Sequence, residues 1–399
     1  MHNQFEKQSS LTNRRNFLLK TGLATGAAAL FAGRFARAAE GPGAAPQTPA
    51  APQAAGSASA APTKVALTNG DNRTDNIFRA MKLVEKEIAQ SIGNRRVVIK
   101  PNNVSPNNQL ASTHADALAG ILEFLKSIGK LDNAIIAESA LSNTMQGFQN
   151  FGYNTVADKY KVKLVDLDQE KFQTIMAFDQ SDAKPHPVRV SSILTNQEDN
   201  FIISACMLKT HNFAIATMSI KNIILGSALK LPSLNGGGSG RAGRGGRGFG
   251  GGPGFGGGGG GGFGGGSDKP ILHGGGAHGI NINLAMLAPM LHPSLAVIDG
   301  FEGMEGNGPI SGTRVDHRVC VVSTDYLAAD TVGATLMGID PANVGYLTYL
   351  ASAKVGESDL TKMEILGESV AKLTKKYQLG SSINTQLQWK DAARVAPTS

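Results

Sequence analysis

The chain has 399 residues, 41% hydrophobic and 17% charged, with a formal net charge of +7. That basicity invites a nucleic-acid partner until the charges are placed. Residues 1–38 hold Lys7, Arg14, Arg15, Lys20, Arg34 and Arg37 against Glu6, and Arg241, Arg244 and Arg247 lie in a glycine run, so the remainder is near neutral and no nucleic-acid partner is expected.

From the N-terminus, Asn13-Arg14-Arg15-Asn16-Phe17-Leu18-Leu19-Lys20 matches the twin-arginine export pattern. The mildly apolar stretch over 18–35 is too short to span a bilayer permanently, and Ala36-Arg37-Ala38 has cleavage spacing. Residues 1–38 therefore read as a signal peptide for the twin-arginine translocase, which carries folded proteins. The mature chain is expected in the periplasm, with no permanent membrane span. Residues 39–63, rich in Ala and Pro, read as a flexible linker, and 64–399 as an α/β domain.

Within that domain a strand is expected over 64–67 and one helix over 75–92, with Ile77, Met81, Val84, Ile88 and Ile92 on one side. A strand over 97–99 ends at Lys100-Pro101-Asn102. Thr113 is expected to cap a helix over 115–128. A strand over 134–137 ends at Glu138, a helix covers 148–160, and a strand over 162–165 ends at Asp166. The apolar run 201–207 ends near Lys209-Thr210-His211. Residues 236–266, with 22 glycines in 31 positions, cannot build a core and are expected to be a disordered insertion serving as a spacer. Strands over 295–298 and 319–322 then lead to Asp299-Gly300 and to Ser323 and Asp325, before a helix over 326–337. Short apolar runs alternating with helices imply an α/β fold: a mainly parallel central sheet with helices on both faces.

In such sheets ligands bind beyond the carboxyl ends of the strands. Lys100, Glu138, Lys209, His211, Asp299 and Asp325 all follow apolar runs there. Lys209 and Lys221 suit a phosphate or carboxylate, with Asn212 and Asn222 orienting it. Residues 299–309 pack three carboxylates and four glycines after a buried strand, which reads as a ligand-contacting loop able to hold Mg²⁺ or Ca²⁺, or as a plain chain reversal. Among the histidines, His114 and His211 sit beside expected strand ends, whereas His273 and His278 border the glycine run and are expected to be mobile. Cys206 and Cys320 lie in apolar runs and read as buried free thiols; two thiolates exclude a thiolate-bound iron–sulfur cluster.

The ordered set Val98-Ile99-Lys100-Pro101-Asn102, Thr113-His114, Ala137-Glu138-Ser139, Leu208-Lys209-Thr210-His211, Ile220-Lys221-Asn222, Asp299-Gly300 through Gly308-Pro309 and Asp325 through Asp330 resembles the family known as domain of unknown function 362. The resemblance implies the same fold and residue set and frequent twin-arginine export. Many members carry a ferredoxin-type module, for which this chain lacks the cysteines.

The expected function is a metal-dependent enzyme acting on a small anionic substrate. Glu138, Asp299, Glu302 and Glu305 would hold a divalent metal. Lys100, Asn102, Lys221, Asn222, Asn307 and Gly308 would contact substrate, and His211, His114 and Lys209 would carry the chemistry. The alternative is a non-catalytic periplasmic anion- or metal-binding protein.

Overall fold

A computed structural model describes residues 62–230 and 267–394. The export signal, nearly all of the linker and the glycine-rich segment fall outside them.

The chain opens with β1 (Thr63–Asn69), α1 (Arg73–Leu83) and α2 (Glu85–Ile92). The single helix expected over 75–92 is thus two. Val84 leaves helical geometry (φ −121°, ψ 28°) and its N–H reaches back to the Met81 carbonyl, yet the five apolar residues still share a buried face. β2 (Arg96–Lys100) and α3 (Ala115–Ser127) follow. His114, not Thr113, caps α3, its Nδ1 accepting the Asp116 N–H at 3.1 Å. After β3 (Ile135–Glu138), the helix expected over 148–160 is α4 (Thr144–Asn150) and α5 (Tyr153–Tyr160), separated at Gly152, whose φ of 72° is left-handed.

Next come β4 (Lys163–Asp166) and a hairpin of β5 (Phe172–Asp179) and β6 (Lys184–Ser191), which forms its own two-stranded sheet and had no counterpart in the sequence reading. β7 (Asn200–His211), β8 (Ile215–Thr217) and α6 (Ser219–Ser227) lead to Lys230, which pairs with Ser267 across the glycine-rich segment. The chain continues through α7 (Lys269–Leu272), α8 (Ala277–Leu287), β9 (Leu295–Asn307), β10 (Ser311–Ser323), α9 (Tyr326–Leu336), α10 (Gly345–Ser352) and β11 (Met363–Gly367).

The central sheet runs β11-β1-β10-β9-β7-β2-β3-β4, with β8 added on β7. β9, β7, β2, β3 and β4 are mutually parallel, as are β1 and β11; β10 runs antiparallel to both its neighbours. The fold is the expected α/β class. One face carries Val98, Ile202, Cys206, Leu208 and Ile298 against α6 and α9; the other carries Val97, Ile99, Phe201, Val297 and Cys320 against α1 and α3. Period-two alternation separates the two sets. Both cysteines are free and buried.

Two strands outrun their apolar cores. Lys209, Thr210 and His211 lie inside β7 because β8 folds back and pairs with them, at Thr217, Ala216 and Ile215. Likewise, residues 300–307 pair with β10 rather than forming a ligand loop. The turn-like composition of 299–309 therefore belongs to a long hairpin arm.

Candidate anion site at the carboxyl ends of three strands

The neighbouring parallel strands β7, β2 and β3 end on one edge of the sheet. β2 ends in Lys100, β3 in Glu138, and β7 in Lys209 and His211. α6 brings Lys221 and Asn222, and α7 brings Lys269, with His273 at its C-terminus. These side chains line one cavity of about 680 Å³, counting its open mouth.

Three of the four lysines are fixed by acceptors. Lys100 Nζ donates to Glu138 Oε1 at 2.7 Å, the Pro101 carbonyl at 2.8 Å and Asn222 Oδ1 at 3.1 Å. Lys209 Nζ donates to Asn102 Oδ1 and, at 2.8 Å, to the Ala111 carbonyl. Lys269 Nζ donates to the Ala228 carbonyl at 2.6 Å. Lys221 Nζ has no hydrogen-bond partner among the described residues, although Lys221 is only 8% exposed. Among the described residues Glu138 is the one carboxylate in the lining. It also accepts the backbone N–H groups of Asn103 (2.9 Å) and Ser139 (2.8 Å), so both its oxygens are used. Gly226 leaves room for Lys100: a Cβ there would collide with its Cε and Nζ.

Burial dominates the electrostatics. It pushes the ammonium groups of Lys209, Lys221 and Lys269 down to about 7; for Lys221 the neighbouring charges of Lys209 and Lys100 add to the effect. Burial also holds His211 well below the usual imidazole range, and His273 at about 4. Both rings are thus neutral at pH 7, and their contacts assign the tautomers. His211 Nδ1 accepts the N–H groups of Phe213 and Ala214, so its Nε2 carries the hydrogen. His273 Nδ1 lies 2.9 Å from the Lys269 carbonyl and must donate to it, which leaves its Nε2 a bare acceptor. The rings stack at 6.2 Å between centroids, one offering a donor and the other a lone pair.

Local structure holds these groups in place. The β7/β8 turn places Ile215 at φ 66°, a conformation costing a β-branched residue roughly 1–3 kcal/mol. The His211 ring, accepting two N–H groups of that turn, helps hold it. The first turn of α6 is anchored by Asp330 of α9. Its carboxylate accepts the N–H groups of Ser219 (2.9 Å) and Ile220 (3.2 Å), a favourable charge at a helix N-terminus.

Of the residues singled out in the sequence, Lys100, Asn102, Glu138, Lys209, His211, Lys221 and Asn222 meet in this cavity. His114 does not; it caps α3, beside Asp116. The four carboxylates expected to hold a divalent metal are not one site. Glu138 is paired with Lys100, whereas Asp299, separated from it by β7 and β2, meets Arg73 Nε at 3.0 Å. Glu302 lies between Arg73 (2.8 Å) and Arg314 (2.6 Å), and Glu305 accepts the Gln378 N–H. Among the described residues no group of three or more His, Cys, Asp or Glu is placed to hold a metal. Asn307 accepts from Ser381 in the C-terminal segment. Gly308 serves a close approach, its Cα abutting the Thr210 carbonyl where no side chain fits. Neither lines the cavity. The sequence analysis passed over Lys269 and expected His273 to be mobile, since both adjoin the glycine run; Pro270-Ile271-Leu272 is the local signal for α7.

The family model described as "Domain of unknown function (DUF362)" matches residues 97–335, a stretch spanning every cavity residue named above. No curated protein matches the chain. Among solved structures, the lactate racemase apoprotein from Thermoanaerobacterium thermosaccharolyticum is 12% identical with a TM-score of 0.40, over 69% of this chain and 57% of that one. The chain thus spans little more than half the length of that structure.

Proposed function

Since the chain belongs to the family described as Domain of unknown function (DUF362), we propose its function from the cavity: it binds a small anion, a phosphate or carboxylate, and moves a proton on it. The observation that carries this reading is the charge imbalance, four buried lysines facing a single carboxylate. A buried cation without a counter-ion is costly, and a bound anion removes that cost. Amines near pH 7 and a bare imidazole nitrogen at His273 also suit general acid–base work at neutral pH. The four carboxylates named in the sequence lie apart, and among the described residues no group of three or more His, Cys, Asp or Glu is placed to hold a divalent metal.

Inorganic phosphate and succinate should each raise the melting temperature of the full-length chain, and Lys221→Ala should abolish the response while the variant stays folded by circular dichroism. Wild-type protein indifferent to both anions, or a variant that responds as wild type does, would sink the reading.

We place the site of action in the periplasm, on the strength of Arg14 and Arg15. Replacing both by Lys should leave the protein in the cytoplasmic fraction, and continued export through the same translocase would contradict the assignment.

A further inference from the structure

We propose that Lys221 is a nucleophile that forms an imine with a small 2-oxo acid, whose carboxylate is held by the surrounding lysines. The inference rests on the anion-binding reading above and names both the substrate class and the reacting atom.

Four observations converge. First, Lys221 Nζ alone among the cavity lysines has no hydrogen-bond partner among the described residues, so its lone pair is not committed to the protein framework. Second, it is buried beside other cations. Lys100, Lys209 and Lys269 share its cavity, and Glu138, the only carboxylate there among the described residues, is already engaged by Lys100 and two backbone N–H groups. A desolvated amine among cations is in part uncharged at neutral pH, and that form is what attack on a carbonyl requires. Third, the neighbouring lysines can hold a carboxylate, whose charge favours their protonated forms. Lys100 and Lys209 point into the same space from strand ends, with Asn102 and Asn222 braced against them. Fourth, the two histidines supply complementary groups: an N–H on His211 Nε2 toward a carbonyl oxygen, and a lone pair on His273 Nε2 to take a proton.

The chemistry balances without a redox partner. The Lys221 lone pair adds to the keto carbon, and the C=O pair moves to oxygen, which takes a proton. The nitrogen loses its protons, the hydroxyl leaves as water, and a C=N bond remains. Protonated, the imine draws electrons from C3 of the oxo acid, easing loss of a proton from that carbon.

The test is reductive trapping. The full-length chain is incubated with glyoxylate, pyruvate or 2-oxoglutarate at neutral pH, reduced with borohydride, and analysed by intact mass and peptide mapping. The expected result is one reduced adduct per chain, mapped to Lys221, from at least one of the three acids, and suppressed by excess phosphate. Lys221→Arg, which keeps the charge, should bring labelling down to the level of exposed lysines. Should that variant not fold, the peptide map of the wild type decides alone. Labelling scattered over exposed lysines, or persisting in Lys221→Arg, overturns the proposal. Stabilisation by phosphate with no adduct at Lys221 overturns the imine and leaves the anion site standing. Loss of both responses overturns the anion site as well.

Discussion

Replacing Glu138 by alanine should destabilise the protein by about 3–5 kcal/mol, read as a lower urea midpoint. Its carboxylate is 1% exposed and takes three donors: Lys100 Nζ and the N–H groups of Asn103 and Ser139. Truncation leaves an ammonium group and two backbone donors buried beside a void. The cost is mainly that of the unpaired partners and not the intrinsic worth of the pair. Two controls separate these contributions. Glu138→Gln keeps an acceptor but removes the charge and should fall between wild type and alanine. Lys100→Met combined with Glu138→Leu removes both charges together and should cost much less than the sum of the single changes. The pair of Lys64 and Glu87 has the same 2.7 Å separation but lies at the surface, and its removal should move the midpoint far less. If Glu138→Ala were no more damaging than Glu87→Ala, the buried pair would not be the keystone of this edge.

The class of fold and the edge that carries the site were both legible in the sequence. Buried parallel strands are runs of apolar residues, and Lys100, Glu138 and Lys209 stood out because each breaks such a run. Strand order was not legible. That β7, β2 and β3 lie side by side, and so bring three ends together, is decided by long-range pairing that leaves no trace in local spacing. The facing of each side chain was partly available. Asp299 lies an even number of residues from Leu295 and Val297, so alternation assigns it to their sheet face, where Arg73 waits. Parity does not part it from Glu138, which follows Ile136 on that same face; strand order does, because β7 and β2 stand between β9 and β3. The long hairpin of β9 and β10 was hidden for another reason: glycines at 300, 303, 306 and 308 look like turn residues, yet several are there so that neighbouring atoms can approach closely. Gly300 meets Val319 and Leu208, and Gly303 meets the Tyr377 ring.

Lys269 and His273 show a different limit. They follow the glycine-rich segment, where composition argued for mobility, and their importance comes from the short helix α7, which seats them against α6. Asp330 belongs to the same class. It reads as one more residue of an amphipathic helix, and its role at the N-terminus of α6 depends on the packing of α9 against that helix. The resemblance covering 325–330 included it without giving a reason.

Phosphate should bind most tightly below about pH 7 and weaken as the pH rises, by up to about tenfold per unit for each lysine that must be charged to hold it. Lys209, Lys221 and Lys269 are each lowered by burial to about 7 from an ordinary 10.5. Between these values the unfolded chain keeps protons that the folded chain has shed. Stability without phosphate therefore rises with pH across that window, and the gain is lost as the pH falls through about 7. The two histidines facing the cavity do not blur this, since both are already neutral. Burial raises Asp299 and Asp330 to about 6, so the stability they contribute is lost as the pH rises through that value, below the lysine window. The Cys206 and Cys320 thiols, raised by burial, oppose the lysines only near and above their ordinary value of 9.0. Urea midpoints between about pH 7 and 8.5 should accordingly climb without phosphate and flatten or fall with it. Calorimetry in two buffers of different ionisation enthalpy should show proton uptake when phosphate binds at about pH 8. Midpoints that stay level across this range, together with binding that takes up no proton, would mean that the lysines carry their ordinary charge and that the cavity is not an anion site of the kind described.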